Sequence, residues 1–274
     1  DYAIARHYPH AAEAEQPALA LFSAVVAAQA KLVAHWMALG FIHGVMNTDN
    51  TAISGETLDY GPCAFMDEFN IDKVFSSIDQ YGRYAYGQQA AIAQWNLARL
   101  GECLLSVEGE TADYEAALEQ FQPQFEAHYF GLMAKKLGLC DERDNDNRLI
   151  TVWLQYLQDH ELDYTLSFRQ LAERLPADTP PVFGNFETLW LQRIDSQPGG
   201  RTKAAELMAA VNPLVIPRNH QVEKAIQAAF QGDLNRFNEL QRVLAEPYSE
   251  LPGLTHYAEP PQEHERVRMT FCGT

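Results

Sequence analysis

Between about residues 17 and 39 the apolar side chains return at helical spacing: Leu21, Phe22, Val25, Val26, Ala30, Val33 and Met37. A helix with that much apolar surface has to be covered by the rest of the chain, so a buried central helix is the first expectation. Gly40 stops it. The next stretch is polar: His43-Gly44-Val45-Met46-Asn47-Thr48-Asp49-Asn50, and nine residues after Asn50 comes Asp59-Tyr60-Gly61. A bare Asn and Asp in loops usually hydrogen-bond their own backbone. Here residues 51–58 carry apolar side chains around a Gly55-Glu56 turn and are expected to form a short β-hairpin that sets Asn50 and Asp59 side by side. His35 and Trp36, on the helix, are expected to be packing residues.

Protein kinases carry H-R-D-L-x-x-x-N and then D-F-G, in which the Asn and the second Asp hold the magnesium ions bridging the ATP phosphates. His43 and Asn50 keep that spacing, so Asn50 and Asp59 fall at the two metal-ligand positions, which are also the nucleotide-binding positions. Val45 replaces the kinase base and cannot accept a proton; the loop offers Asp49 instead, directly before Asn50. The wording HGVMNTDN, then SGETLDYGP, resembles the selenoprotein O family (YdiU in bacteria), kinase-fold proteins that transfer AMP rather than phosphate. The same family is matched by Phe75-Ser-Ser-Ile-Asp79, Gly82-Arg-Tyr-Ala-Tyr-Gly87, Gln94-Trp-Asn-Leu-Ala-Arg99, Ile216-Pro-Arg-Asn-His220 and the terminal Cys272-Gly-Thr274. The resemblance runs over nearly the whole chain.

The resemblance implies a mainly α fold: a kinase-like C-terminal lobe over residues 1–274, with a small β-hairpin at the metal site. About 1–105 would be the catalytic-loop core and about 110–274 a helical extension and tail. It implies a protein adenylyltransferase that moves AMP from ATP to Ser, Thr or Tyr hydroxyls of proteins with Mg²⁺ or Mn²⁺, Asp49 taking the hydroxyl proton and Asn50 and Asp59 holding the metal. Two other readings stay open on the residues alone: ordinary phosphotransfer with Asp49 as a displaced base, and a non-catalytic pseudokinase binding module. Nothing upstream of the loop resembles a kinase small lobe, and Asp1-Tyr2 is no natural initiator. The chain is therefore expected to be a C-terminal fragment, inactive without its own N-terminal lobe. In animal members the third-from-last position is selenocysteine, so the resemblance suggests a redox role for Cys272. Its candidate partner is Cys63, which follows the DYGP turn.

The net charge of −17 disfavours a nucleic-acid backbone and anionic membrane surfaces as partners. No secretory leader pattern is seen, and no apolar run is expected to reach the length of a membrane span. Four cysteines without a C-x-x-C pair or zinc spacing fit a reducing compartment, which the resemblance implies is the bacterial cytoplasm. Cys103 and Cys140 are expected to pack.

Along the chain, residues 1–10 read as an irregular lead-in. Asp67 and Glu68 either reach metal or substrate or begin a solvated helix. Residues 71–88 read as a long ordered loop, in which Arg83, Tyr84 and Tyr86 either line a substrate groove or pin the loop. Helices are expected at about 90–105, 114–137, 148–159, 162–174, 186–194, 202–211, 221–230 and 233–244, with Asp141 to Asn147 as a turn capping the third of these. A Pro-rich, polar tail too loose to be held firmly follows.

Overall fold

The computed structural model describes residues 1–176 and 179–271. In chain order these form α1 (Tyr2–His7), α2 (Pro17–Ala38), β1 (Phe41–Ile42), β2 (Ala64–Phe65), α3 (Gln89–Leu105), α4 (Thr111–Glu119), α5 (Phe121–Lys136), α6 (Asp146–Asp159), α7 (Tyr164–Glu173), α8 (Gly184–Asp195), α9 (Gly200–Val211), α10 (Asn219–Phe230) and α11 (Asn235–Ala245). Single 3₁₀ turns fill several of the gaps. The protein is mainly helical, with one two-stranded antiparallel sheet among the described residues.

α2 is the centre, as its periodicity predicts, with α3, α4 and α5 packed against it. Phe22, Val26, Ala30, Val33 and Ala34 are fully buried. Contrary to the sequence expectation, α2 is long and apolar enough to span a membrane by composition, but half of it is covered by its neighbours. His35 is exposed rather than packed, its Nδ1 beside the Lys31 carbonyl, while Trp36 is half-buried and donates from Nε1 to Thr57 Oγ1 at 2.8 Å.

The expected hairpin at 51–58 does not form; those residues make turns without a ladder. The ladder lies outside them, Phe41 opposite Phe65 and Ile42 opposite Ala64, so that it brackets the whole polar loop. Residues 51–58 instead spend their carbonyls on side chains from elsewhere. Gln29 Nε2 donates to Ala52 O (2.6 Å) and the Tyr8 hydroxyl to Ile53 O (2.6 Å). Gly40 takes φ +74°, and a Cβ there would lie 2.8 Å from the Tyr164 ring, so glycine is required where α2 turns into β1.

The single helix expected at 114–137 is two, α4 and α5, broken at Gln120. Pro123 explains the break: inside a continuous helix it would lose its bond to the carbonyl of residue 119 and clash with it, whereas in the first turn of α5 it needs no partner. The lead-in is not irregular either, since α1 and a 3₁₀ turn at Pro9–Glu13 are formed. Asp146 begins α6 without capping it. It accepts from the Arg143 N–H and pairs with Arg193 (2.7 Å), which also reaches Asp141. Cys103 and Cys140 are exposed, not packed.

A second, smaller apolar cluster gathers Val215, Ala225, Leu240, Val243 and Tyr257. The tail is held. Arg266 grips Glu68 with two hydrogen bonds, and Thr270 donates from N to Phe75 O and from Oγ1 to Pro62 O.

Lys136 sits in the main core, its amine 4.2 Å from the Phe168 ring centroid and 5.3 Å from that of Tyr164. Burial pushes the amine down to about 7 from an ordinary 10.5. Because the folded value is the lower one, the residue's contribution to stability is poorest below pH 7 and improves as pH rises from about 7 towards 10.5. Lys136→Met is expected to stabilise the fold by about 1–4 kcal/mol at neutral pH. The gain should shrink in thermal melts run at pH 10.

Candidate functional site

The polar loop between β1 and β2 is built around His43, which is fully buried. The Val45 N–H points at its Nδ1 (3.4 Å), so Nε2 carries the proton and donates to the Leu58 carbonyl at 2.8 Å. Burial lowers the imidazole's pKa, against the pull of Asp59 and the Leu58 carbonyl, which keeps the ring neutral and this tautomer in place. The two arms of the loop therefore meet at one ring. Asn50 Nδ2 donates to Val45 O (3.2 Å) on one arm, and Asp59 follows Leu58 on the other.

Two side-chain amides of α3 complete the support. Gln89 accepts from the His43 N–H and donates to Phe41 O, acting as a strand would beside β1. Asn96 Nδ2 donates to Met46 O (3.0 Å) and Thr51 Oγ1 (2.9 Å). Both are buried on the apolar face of α3. That is the trace they leave in the sequence: amides at positions where the 3.6-residue period calls for apolar side chains.

Asp49 and Asn50 lie on a 3₁₀ turn, Thr48–Asn50, with Asp49 exposed and Asn50 half-buried. Asp59 is exposed and takes φ +59°, a left-handed conformation uncommon outside glycine. Its charge is near enough to raise the pKa values of both His43 and Cys63. With Nδ2 of Asn50 committed to Val45, its Oδ1 is the atom left to act as a ligand. An amide oxygen and a carboxylate on one loop form a hard donor set that suits Mg²⁺ completed by phosphate oxygens and water. Among the described residues no group of three or more His, Cys, Asp or Glu side chains gathers as a metal site.

Cys63 is half-buried, its thiol donating to Tyr60 O at 3.4 Å, and burial pushes its pKa up. Phe271 shares a groove with Cys63; Cys272 lies outside the described residues. Asp67 and Glu68 neither reach the loop nor begin a helix. Asp67 pairs with the fully buried Arg218, and Glu68 with Arg266. Tyr86 is buried and donates to Met37 O (2.6 Å), so it pins the loop after Gly61 to the end of α2. Tyr84 donates to Asn47 Oδ1 (2.6 Å), tying that loop to the residue two before Asp49.

An amide oxygen and a carboxylate on a histidine-anchored loop are donors of the kind that could hold a metal ion with its phosphates. Residues 1–245 match the family described as protein adenylyltransferase SelO, and the chain belongs to that family. It is 47% identical over 291 aligned positions to a protein nucleotidyltransferase YdiU of Rhizobium johnstonii, covering all of this chain and 58% of that protein. Proteins of the same name from Rhodopseudomonas palustris (47%) and Bradyrhizobium diazoefficiens (48%) are each covered to 59%. The chain thus spans about three-fifths of the length of these curated relatives.

Proposed function

We propose that the chain is the kinase-like C-terminal lobe of a protein adenylyltransferase, moving AMP from ATP to a Ser, Thr or Tyr hydroxyl of a protein in the bacterial cytoplasm. In this reading residues 1–105 or so carry the catalytic loop and the helices after about 110 extend it. The observation that carries the reading is Val45: the loop has an apolar side chain where a kinase has its base, yet keeps Asn50 and Asp59 in SelO-family sequence. Magnesium or manganese bound there would offset charge on the phosphate oxygens. Asn50, whose amide nitrogen is committed to Val45, would hold the ion through its amide oxygen, and Asp59 would hold it through its carboxylate. Asp49, exposed on its turn, takes the proton from the attacking hydroxyl. His43 takes no proton itself; neutral and buried, it fixes both arms of the loop.

The test is incubation of the full-length protein with Mg²⁺ and ATP labelled at the α or the γ position. Label from the α position should reach protein, and transfer of γ label alone would sink adenylylation. Asp49→Ala is expected to slow transfer by about 10²–10⁴ while nucleotide affinity stays within a few-fold; normal turnover would remove Asp49 from the base role. Residues 1–274 alone are expected to bind Mg-ATP only weakly, because this loop contributes acids and an amide but no lysine or arginine for the phosphates. Calorimetry giving a micromolar Kd for that chain would contradict this.

A further inference from the structure

Trp95, on α3, carries two arginines. The Arg83 guanidinium lies 4.8 Å from the centroid of its ring and that of Arg99 lies 5.0 Å away. Arg99 comes from the next turn of the same helix, Arg83 from the loop that Tyr84 ties to Asn47. Each arginine lines a cavity that also includes residues of the catalytic loop. Arg83 shares one of about 740 Å³ with Val45 and Asn47, and Arg99 one of about 260 Å³ with Thr48 and Thr51. The four loop residues flank Asp49 in the sequence on both sides.

These cations are poorly answered within the chain. Acidic side chains outnumber basic ones 37 to 20, yet Arg83 makes no salt bridge among the described residues. Asp79 lines the same cavity, but its two carboxylate oxygens accept the backbone N–H groups of Arg83 and Tyr84, both at 2.8 Å. Arg99 pairs with Glu102 at an exposed position, while its Nε is buried without a hydrogen-bond partner. Pinning the loop does not account for the charges, since Asp79 and Tyr84 already do that. Stacking on an indole holds a guanidinium flat and leaves its N–H edge free for a carboxylate.

We propose that the Arg83–Trp95–Arg99 ridge binds acidic side chains of the protein substrate, beside the hydroxyl presented to Asp49. This rests on the reading of the site as one that modifies protein hydroxyls. It gives that reading a substrate class: segments with Asp or Glu near the acceptor. At 0.15 M salt the distant negative charges of the chain are screened over about 8 Å, so two local cations outweigh them for a ligand in contact.

The experiment measures binding of two fluorescein-labelled dodecapeptides to the full-length protein by polarisation, without nucleotide. Each peptide carries one Tyr, and they differ only in having four Glu or four Gln around it. The Glu peptide is expected to bind at least about tenfold more tightly, as charge-assisted pairs to arginine would give. The double variant Arg83→Gln, Arg99→Gln should bring the ratio to within about twofold, leaving the Gln peptide's affinity unchanged. Arg83→Lys with Arg99→Lys should fall between, because the charge remains and the planar fork does not. No preference in the wild type, or a preference that survives the double Gln variant, overturns the proposal. So does displacement of the Glu peptide by metal-free ATP, which would make the ridge a phosphate site. Because no nucleotide is used, failure of adenylylation in the label experiment leaves this ratio readable.

Discussion

Arg218→Met is expected to destabilise the chain by about 3–5 kcal/mol, enough to lower its melting temperature by roughly 6–20 °C. The guanidinium has no solvent exposure and makes four hydrogen bonds. Nη1 reaches Asp67 Oδ1 and Asp163 Oδ2, Nη2 reaches Asp163 Oδ1, and Nε donates to the Ala258 carbonyl. Asp163 also accepts from the Leu166 N–H at the start of α7. One side chain thus joins the segment after Gly61, the beginning of α7 and the tail. Removing it strands two carboxylates. Burial already pushes the Asp67 carboxyl up against the pull of Arg218, so the acid would titrate upwards further once the cation is gone. Adding Asp67→Asn and Asp163→Asn should recover much of the loss, since an uncharged trio leaves no unpaired ion. If calorimetry shows Arg218→Met melting within about 2 °C of the wild type, the arginine is not the tie described here.

Asp59→Asn in the full-length protein is expected to reduce AMP transfer by at least about 10²–10³-fold, through loss of a carboxylate from the metal position. Asparagine suits the comparison because it keeps the shape and tolerates the left-handed φ of +59°. Asp59→Gly sharpens the test. Glycine adopts that conformation freely, so this variant should lose transfer while its folding stability holds or rises by up to about 1 kcal/mol. Opposite movements of activity and stability mark a residue kept in strain for its chemistry. Parallel loss of both would mark Asp59 as structural. Transfer at wild-type rate in either variant would remove it from the metal site.

The parts of this molecule legible in the sequence were those written locally. α2 and most later helices follow from apolar spacing, and the polar loop stands out because His43, Asn50 and Asp59 keep a recognisable interval. The turn at 51–58 was misread because apolar residues around Gly-Glu describe a hairpin equally well. Nothing nearby says that Gln29 and Tyr8 take the hydrogen bonds a partner strand would have taken. The division of the helix expected at 114–137 was visible in Pro123, whose position in a first turn is tolerated and in a middle turn is not. Arg218 was beyond reach. Its partners lie 151 and 55 residues away, and a pairing between distant charges leaves no period and no composition shift. The tail looked loose for the same reason, since Arg266 and Thr270 are ordinary residues until Glu68 and Pro62 are opposite them.

The Tyr164 hydroxyl donates to the carbonyls of Met37 and Ala38 at the end of α2, and its ring fills the space over Gly40. The clamp on the entrance to the polar loop is therefore synthesised 127 residues after the carbonyl it holds. At about 5–20 residues per second, the loop leaves the ribosome roughly 6–25 s before the side chain that fixes it. For most of that interval α2, apolar over most of its length, has no complete α5 to cover it. Fixing of the loop is consequently a late event of translation, and the nascent chain is most in need of shelter from aggregation after the loop has been made and before the helices that cover α2 have been.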